Sequence, residues 1–270
     1  MHVSEAMQSY PDMPKLSISL LGRHAVVTGG GSGIGREIAK CLSGSGCRVA
    51  IIDVDQEKAD ACASELRAKG GEALCFNASV ADADAVKRVF ASIEAAWGRI
   101  DILVNNAGVS GNKPTLELSD EDWRRCLSIN LDGVFFCSRA AGGLMRKVGG
   151  GTIINIGSIY SIVAAPNRLH YCASKAAVAM ITRSLAIEWA SLGIRVNCVA
   201  PGYVETGLIQ ELAEAGLINL EQLKQRTPQK RLGKSEEIAA AVAWLCSDHA
   251  AHVTGQTLAV DGGWTAYGYV

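Results

Sequence analysis

A phenol and an ammonium stand four residues apart in Tyr171-Cys172-Ala173-Ser174-Lys175, inside a segment whose pattern predicts a helix. At that spacing both side chains lie on one helical face. A tyrosine ordinarily titrates near pH ~10, so service as a base near neutrality requires about 4 kcal/mol of phenolate stabilisation. A lysine one turn away is a physical means of supplying part of it. Alone, such a pair is more often an ordinary helix face with a solvated lysine. Chemistry requires a cofactor, a substrate and an oxygen-binding partner around it.

The elements that must supply these alternate along the chain. His24-Ala-Val-Val-Thr28 predicts a strand, Gly29-Gly30-Gly31-Ser32-Gly33-Ile34-Gly35 a tight turn, and Arg36 to Leu42 a helix. Glycines let backbone N–H groups approach a pyrophosphate at the positive end of the helix dipole. The same turn can also occur without a ligand. A second strand over 47–52 ends on Asp53, whose carboxylate can accept from both adenosine ribose hydroxyls and would repel a 2′-phosphate. The plainer role, capping the next helix, is one Asp55 can also fill. No cation accompanies Asp53 at Val54 or Ser32, which favours NAD(H) over NADP(H).

Helices over about 55–69 and 82–97 and strands at 73–76 and 100–104 continue the alternation, which implies a parallel sheet covered on both faces. The fourth strand stops at Asn105-Asn106-Ala107-Gly108, leaving room at the carboxyl edge where ligands bind in open α/β sheets. Ser119-Asp120-Glu121-Asp122 opens another helix with a capping-box pattern. Asn130 falls inside the helical stretch that follows. Asparagine is a poor interior helix residue, so the position marks a kink or a purpose, or an amide bonded to a neighbouring strand. A fifth strand, 152–156, delivers Gly157-Ser158 to the same edge, where a serine hydroxyl can donate to a substrate oxygen or cap a turn. Tyr171 opens a helix to about Ser191, and the loop before it carries Pro166, Asn167, Arg168 and His170. A sixth strand, 194–199, leads to Pro201-Gly202. The polar stretch 203–231 reads as neither strand nor clear core helix and has the character of a lid. A last helix, 235–246 with Ser235 as its N-cap, precedes Thr257-Leu258-Ala259-Val260 and Asp261-Gly262-Gly263.

The composition is that of a globular chain: 270 residues, 49% hydrophobic, 20% charged, formal net charge −1. So even a balance gives no electrostatic reason to expect nucleic acid or a membrane surface as partner. The nine cysteines are scattered without a Cys-x-x-Cys pair and read as small buried side chains in a reducing compartment. His249 and His252 have only Asp248 beside them, so no metal is expected. Residues 1–17, with Pro11 and Pro14, read as a loose leader rather than a signal peptide, and no apolar run is long enough to span a membrane. A cytoplasmic location is expected, and residues 18–270 read as one domain without an internal boundary.

Thr28-Gly29 with Gly33 and Gly35, Asp53, Asn105-Asn106-Ala107-Gly108, Asn130, Ser158, Tyr171 with Lys175, Pro201-Gly202 and Asp261-Gly262-Gly263, in that order over about 18–263, closely resemble the short-chain dehydrogenase/reductase family. The resemblance implies a single α/β, Rossmann-type domain: a doubly wound, seven-stranded parallel sheet with helices on both faces. It implies that Tyr171 is the general base in alcohol oxidation and the acid in carbonyl reduction. Lys175 would hold the nicotinamide ribose and lower the tyrosine pKa, Ser158 would bind the substrate oxygen, and Asn130 would hold a water behind Lys175. Cofactor contacts would come from Gly29, Ser32, Gly33, Ile34 and Gly35 in the first turn, and from Asp53, Asn77 and Ala78 after the second and third strands. Others would come from Asn106, Ala107 and Gly108, from Tyr171 and Lys175 themselves, and from Pro201, Gly202, Val204 and Thr206. Where the family usually has an aspartate for the adenine amino group, this chain has Asn77, whose amide oxygen can accept the same bond.

The expected activity is NAD(H)-dependent hydride transfer between the nicotinamide and a secondary alcohol or ketone, on a small polyol, sugar or hydroxy acid. A 3-oxoacyl-(acyl carrier protein) reductase is the alternative, and a non-catalytic dinucleotide-binding protein a more distant one. A homotetramer or homodimer is expected, with the apolar tail carrying Trp264, Tyr267 and Tyr269 against a neighbour.

Overall fold

The computed structural model describes residues 18–214, 216 and 218–268. The leader expected over 1–17 and Tyr269 lie outside the described residues.

Seven strands form one parallel sheet in the order β3-β2-β1-β4-β5-β6-β9. They are β1 (His24–Thr28), β2 (Arg48–Asp53), β3 (Ala73–Asn77), β4 (Ile102–Asn105), β5 (Gly151–Ile156), β6 (Ile194–Pro201) and β9 (Thr257–Val260). The short strands β7 (Val204–Glu205) and β8 (Gly233–Lys234) pair separately. Because side chains alternate along a strand, near-continuous apolar runs serve two cores at once. Ala25, Val27, Val49, Ile51, Ile102 and Val104 enter one cluster. Their neighbours Val26, Ala50, Ile52 and Leu103 enter the other.

Helices α1 (Gly33–Gly44), α2 (Gln56–Ala68) and α9 (Ser235–Cys246) cover the first face. The second is covered by α3 (Ala83–Trp97), α5 (Gly133–Lys147) and α6 (Leu169–Trp189). The doubly wound sheet expected above is therefore present. Its strand order reverses between β1 and β4, and this opens a crevice at their carboxyl ends.

Between α4 (Asp120–Leu127) and α5 the chain makes a π-helical turn over Ser128–Asp132, with Asn130 at its centre and wholly buried. The irregularity read at Asn130 is thus an extra residue accommodated within a helical run. The stretch 203–231 is more regular than its composition suggests, containing β7, α7 (Gly207–Glu214) and α8 (Leu220–Arg226). Their few turns are too short for a clear periodic signal. The N-cap of α9 is Lys234 rather than Ser235. Glu237, held by Arg231, accepts the Lys234 N–H at 2.7 Å and moves the helix start back one residue.

All nine cysteines are described and none is bridged; six are buried. No described helix is long and apolar enough to cross a membrane.

Candidate active site

The crevice is closed at its base by side chains that tie β1 to β4. The Thr28 hydroxyl accepts the N–H groups of Asn106 and Ala107, both at 3.0 Å. Asn106 returns its amide to the carbonyls of Thr28 and Gly29, also at 3.0 Å. Gly29 and Gly33 adopt left-handed backbone, with φ of 61° and 51°. A Cβ on Gly35 would run into the Gly29 carbonyl and the Asn106 amide. Ser32 precedes α1 in extended conformation, exposed and without a side-chain capping bond. The first turn of α1, with Ile34 half-buried, leaves N–H groups directed into this bare backbone surface. These residues fit a dinucleotide pyrophosphate.

Asp53 is held at the end of β2. Its Oδ2 accepts the Gly31 N–H at 2.9 Å and its Oδ1 the Asp55 N–H at 3.0 Å. Capping of α2 falls to Asp55, which accepts from the Lys58 N–H. Beside Asp53, Asn77 donates its amide to the Val54 carbonyl at 2.8 Å, which turns the donor end inward and leaves the oxygen as acceptor. Ala78 is buried behind it. On the other side of the crevice, a Cβ on Gly33 would lie 3.9 Å from the Thr206 methyl group. Val204 and Pro201 are buried beneath, and Asp261 fills the space where Gly202 lacks a side chain. The predicted cofactor residues thus follow the carboxyl edge of the sheet from β3 to β6.

Ser158, Tyr171 and Lys175 converge beyond β5. The Ser158 oxygen accepts the Tyr160 N–H at 3.2 Å, capping a 3-10 turn over Ile159–Ser161, so the hydroxyl proton stays available to donate. The two roles read for this serine are compatible. Ser161 fastens the turn to α6 by donating to the Lys175 carbonyl at 2.8 Å. Burial raises the Tyr171 pKa, with the Ser158 hydroxyl and the Arg168 charge acting in the opposite direction. Lys175 is 5% exposed and donates to the Ile156 carbonyl at 2.8 Å. Burial pushes its pKa down to about 8.

Asn130 acts as a clamp. It accepts the Val109 N–H at 2.8 Å and donates to the Val109 carbonyl at 2.9 Å and to Ser174 at 3.1 Å. Its side-chain amide is thereby committed to holding the Gly108–Val109 backbone, and a Cβ on Gly108 would lie 3.2 Å from the Asn130 oxygen and 3.6 Å from Lys175 Nζ.

An aromatic wall is assembled from distant segments. Tyr160 meets Tyr171 edge-on at 6.1 Å between ring centres and shares a 2.8 Å hydrogen bond between hydroxyls with Tyr203. Tyr203 packs on Trp264 at 5.2 Å, and Arg226 of α8 lies over Trp264 at 4.8 Å. Neither Tyr160 nor Tyr203 carries a spacing signal, being joined only through the fold. His170 is buried, its ring against Gly111.

The family model described as enoyl-(acyl carrier protein) reductase matches residues 29–265. The galactitol 2-dehydrogenase (L-tagatose-forming) of Cereibacter sphaeroides is 43% identical over 248 residues, which are 91% of this chain and 96% of that one. The chain belongs to the short-chain dehydrogenase/reductase family. It is an oxidoreductase of that family. A 3-oxoacyl-[acyl-carrier-protein] reductase from Synechocystis sp. is 40% identical over 91% of this chain and 98% of its own. The crystal structure of a gluconate 5-dehydrogenase from Burkholderia cenocepacia, in complex with NADP and tartrate, superposes with a TM-score of 0.88 at 39% identity, covering 93% of this chain and 98% of that one.

Proposed function

We propose that this short-chain dehydrogenase/reductase oxidises a secondary alcohol of a small polyol, sugar or hydroxy acid with NAD+, and reduces the corresponding ketone with NADH. The observation that carries the reading is the convergence of Ser158, Tyr171 and Lys175 at the sheet edge that also bears Asp53 and the glycine turn. Ser158 donates to the substrate oxygen and orients the carbinol. Tyr171 takes the hydroxyl proton during oxidation and returns it during reduction. Lys175, a buried cation fastened to the Ile156 carbonyl, would hold the ribose hydroxyls beside the phenol. Asn130 keeps the Gly108–Val109 backbone in place beside them. When bound, the nicotinamide supplies the hydride acceptor or donor and, when oxidised, a positive charge near the phenol. Together these groups place reacting atoms in contact and stabilise a developing alkoxide.

NAD is favoured over NADP because a fixed carboxylate at Asp53 repels a 2′-phosphate. The nearby cations Arg36 and Lys58 are already paired, with Glu65 at 2.7 Å and Asp55 at 2.9 Å. The NADP bound to the gluconate 5-dehydrogenase bears on that protein's own pocket. A 3-oxoacyl carrier reductase, the second reading, has the Synechocystis relative in its favour. A lid over 203–231 is supported by the Arg226–Trp264 contact that joins α8 to the pocket wall. Self-association is supported by Met180 and Ile187, which are 56% and 82% exposed on α6.

A screen of alditols, aldonates and acetoacetyl thioesters against both cofactors, followed by nicotinamide absorbance, tests the reading. Turnover of polyhydroxy substrates with NAD+ is expected. Turnover confined to the thioester with NADPH would establish the second reading instead.

A further inference from the structure

Arg168 stands three residues before Tyr171, at the start of α6, and its guanidinium is not a free surface cation. The side chain is half-buried. Its Cζ lies over the face of Tyr160 at 5.6 Å from the ring centre, and its Nη1 donates to the Ser110 hydroxyl at 3.2 Å. Tyr160 in turn meets the ring of Tyr171 edge-on. The cation is therefore separated from the reacting phenol by the width of one aromatic ring, and its charge lowers the pKa of that phenol.

Among the described residues no carboxylate is within ion-pair reach of Arg168. Arg23, Arg36, Arg48, Arg99, Arg124 and Arg231 each have one. A guanidinium has five N–H donors in a planar fork, and only one of these has a side-chain acceptor here. The Tyr160 contact and the Ser110 bond together restrain the fork in advance, which suits two-pronged recognition of an oxyanion. Two further bonds hold the loop that presents it. The Lys113 N–H donates to the Asn167 carbonyl at 2.7 Å, and Lys113 Nζ is engaged with Asp122 at 2.8 Å. Lys113 is thus committed to its own carboxylate, and Arg168, over the Tyr160 ring that adjoins Tyr171, is left as the cation of this loop without a carboxylate partner among the described residues.

We infer that Arg168, held by Tyr160 and Ser110, binds an anionic group of the substrate beside the carbinol that Ser158 and Tyr171 engage, and that the preferred substrate is a polyhydroxy carboxylate rather than a neutral polyol. This rests on the function proposed above and narrows its substrate class. A carboxylate takes both free edges of the fork, while the remaining hydroxyls face the Tyr160 and Tyr203 phenols. A phosphate ester presents the same oxyanion chemistry, and the two sources separate in the assay.

The test compares D-gluconate, D-glucitol and 6-phospho-D-gluconate with the wild-type chain, Arg168→Met and Arg168→Lys. Wild type is expected to favour gluconate over glucitol in kcat/KM by about 100-fold or more, and Arg168→Met to remove most of that preference, chiefly through KM for the acid. Arg168→Lys should restore part of it. KM for gluconate should rise with salt in the wild type and lose that dependence in Arg168→Met. Turnover of glucitol with no preference for the acid would overturn this inference and leave the oxidoreductase reading standing. An unchanged acid-to-neutral ratio in Arg168→Met would also overturn it. A ratio that responds to Arg168 only for the phosphorylated acid would overturn the carboxylate assignment. Absence of turnover with every alcohol would remove both readings.

Discussion

Lys175 and Tyr171 share a helical face, and the ammonium stands over the tyrosine ring without bonding its hydroxyl. Its Nζ is 5.8 Å from the centre of the tyrosine ring and donates instead to the Ile156 carbonyl, 2.8 Å away. The lysine is a buried cation fastened to the end of β5. The phenol answers to burial first, and then to Ser158.

This placement makes Lys175 costly to the fold. Its pKa is lowered from 10.5 to about 8 by burial. Below pH ~8 both folded and unfolded chains carry the proton, and the folded one bears the full desolvation cost. Between about 8 and 10.5 the unfolded chain binds more protons, so stability rises with pH through that window. Lys175→Met should raise the stability of the cofactor-free chain at pH ~7 by about 1–2 kcal/mol and flatten this pH dependence, while activity is lost. Denaturant unfolding at several pH values checks it. A less stable variant would show that the Ile156 bond outweighs the desolvation.

Cofactor choice should move with Asp53. Removing the carboxylate in Asp53→Ala takes away both the ribose acceptor and the repulsion of a 2′-phosphate. The NAD-to-NADP ratio of kcat/KM should fall by about 100-fold, a change of about 3 kcal/mol. Initial rates with both cofactors measure it. A ratio that does not change would place the choice elsewhere, with Lys58 and Arg36 as the residues to vary next.

Asn130→Ala should act through backbone geometry. The variant leaves the Val109 N–H and carbonyl without their side-chain partners in a partly buried position, at a cost of about 1–3 kcal/mol. Because Val109 adjoins Gly108, kcat should fall more than the cofactor Kd rises. Unfolding curves and steady-state kinetics on the same preparation separate the two effects.

Much of this was legible in the chain itself. Strand runs such as Ala25–Val27 are apolar throughout because they feed both cores, and the glycine turn stands out because a Cβ at Gly35 has no room. Asn130 could be read as irregular because its side chain is unsuited to a helix interior, and the π-helical turn is the physical form of that irregularity. Other features depend on segments far apart in sequence. Tyr160 and Tyr203 meet across 43 positions, and Lys175 finds its acceptor 19 residues back on a different element. No local pattern reports such pairings. The cap of α9 was misplaced by one residue because Glu237, oriented by Arg231, supplies the acceptor that a serine was expected to provide.

The central claim is that Tyr171 moves the substrate proton. Tyr171→Phe keeps the ring and its edge contact with Tyr160 and removes only the hydroxyl. Measured with NAD+ and the best alcohol from the screen, kcat should fall by about 1,000-fold or more, with the Kd for NAD+ within about threefold of wild type. Turnover retained within about tenfold, at unchanged cofactor affinity, would contradict the account.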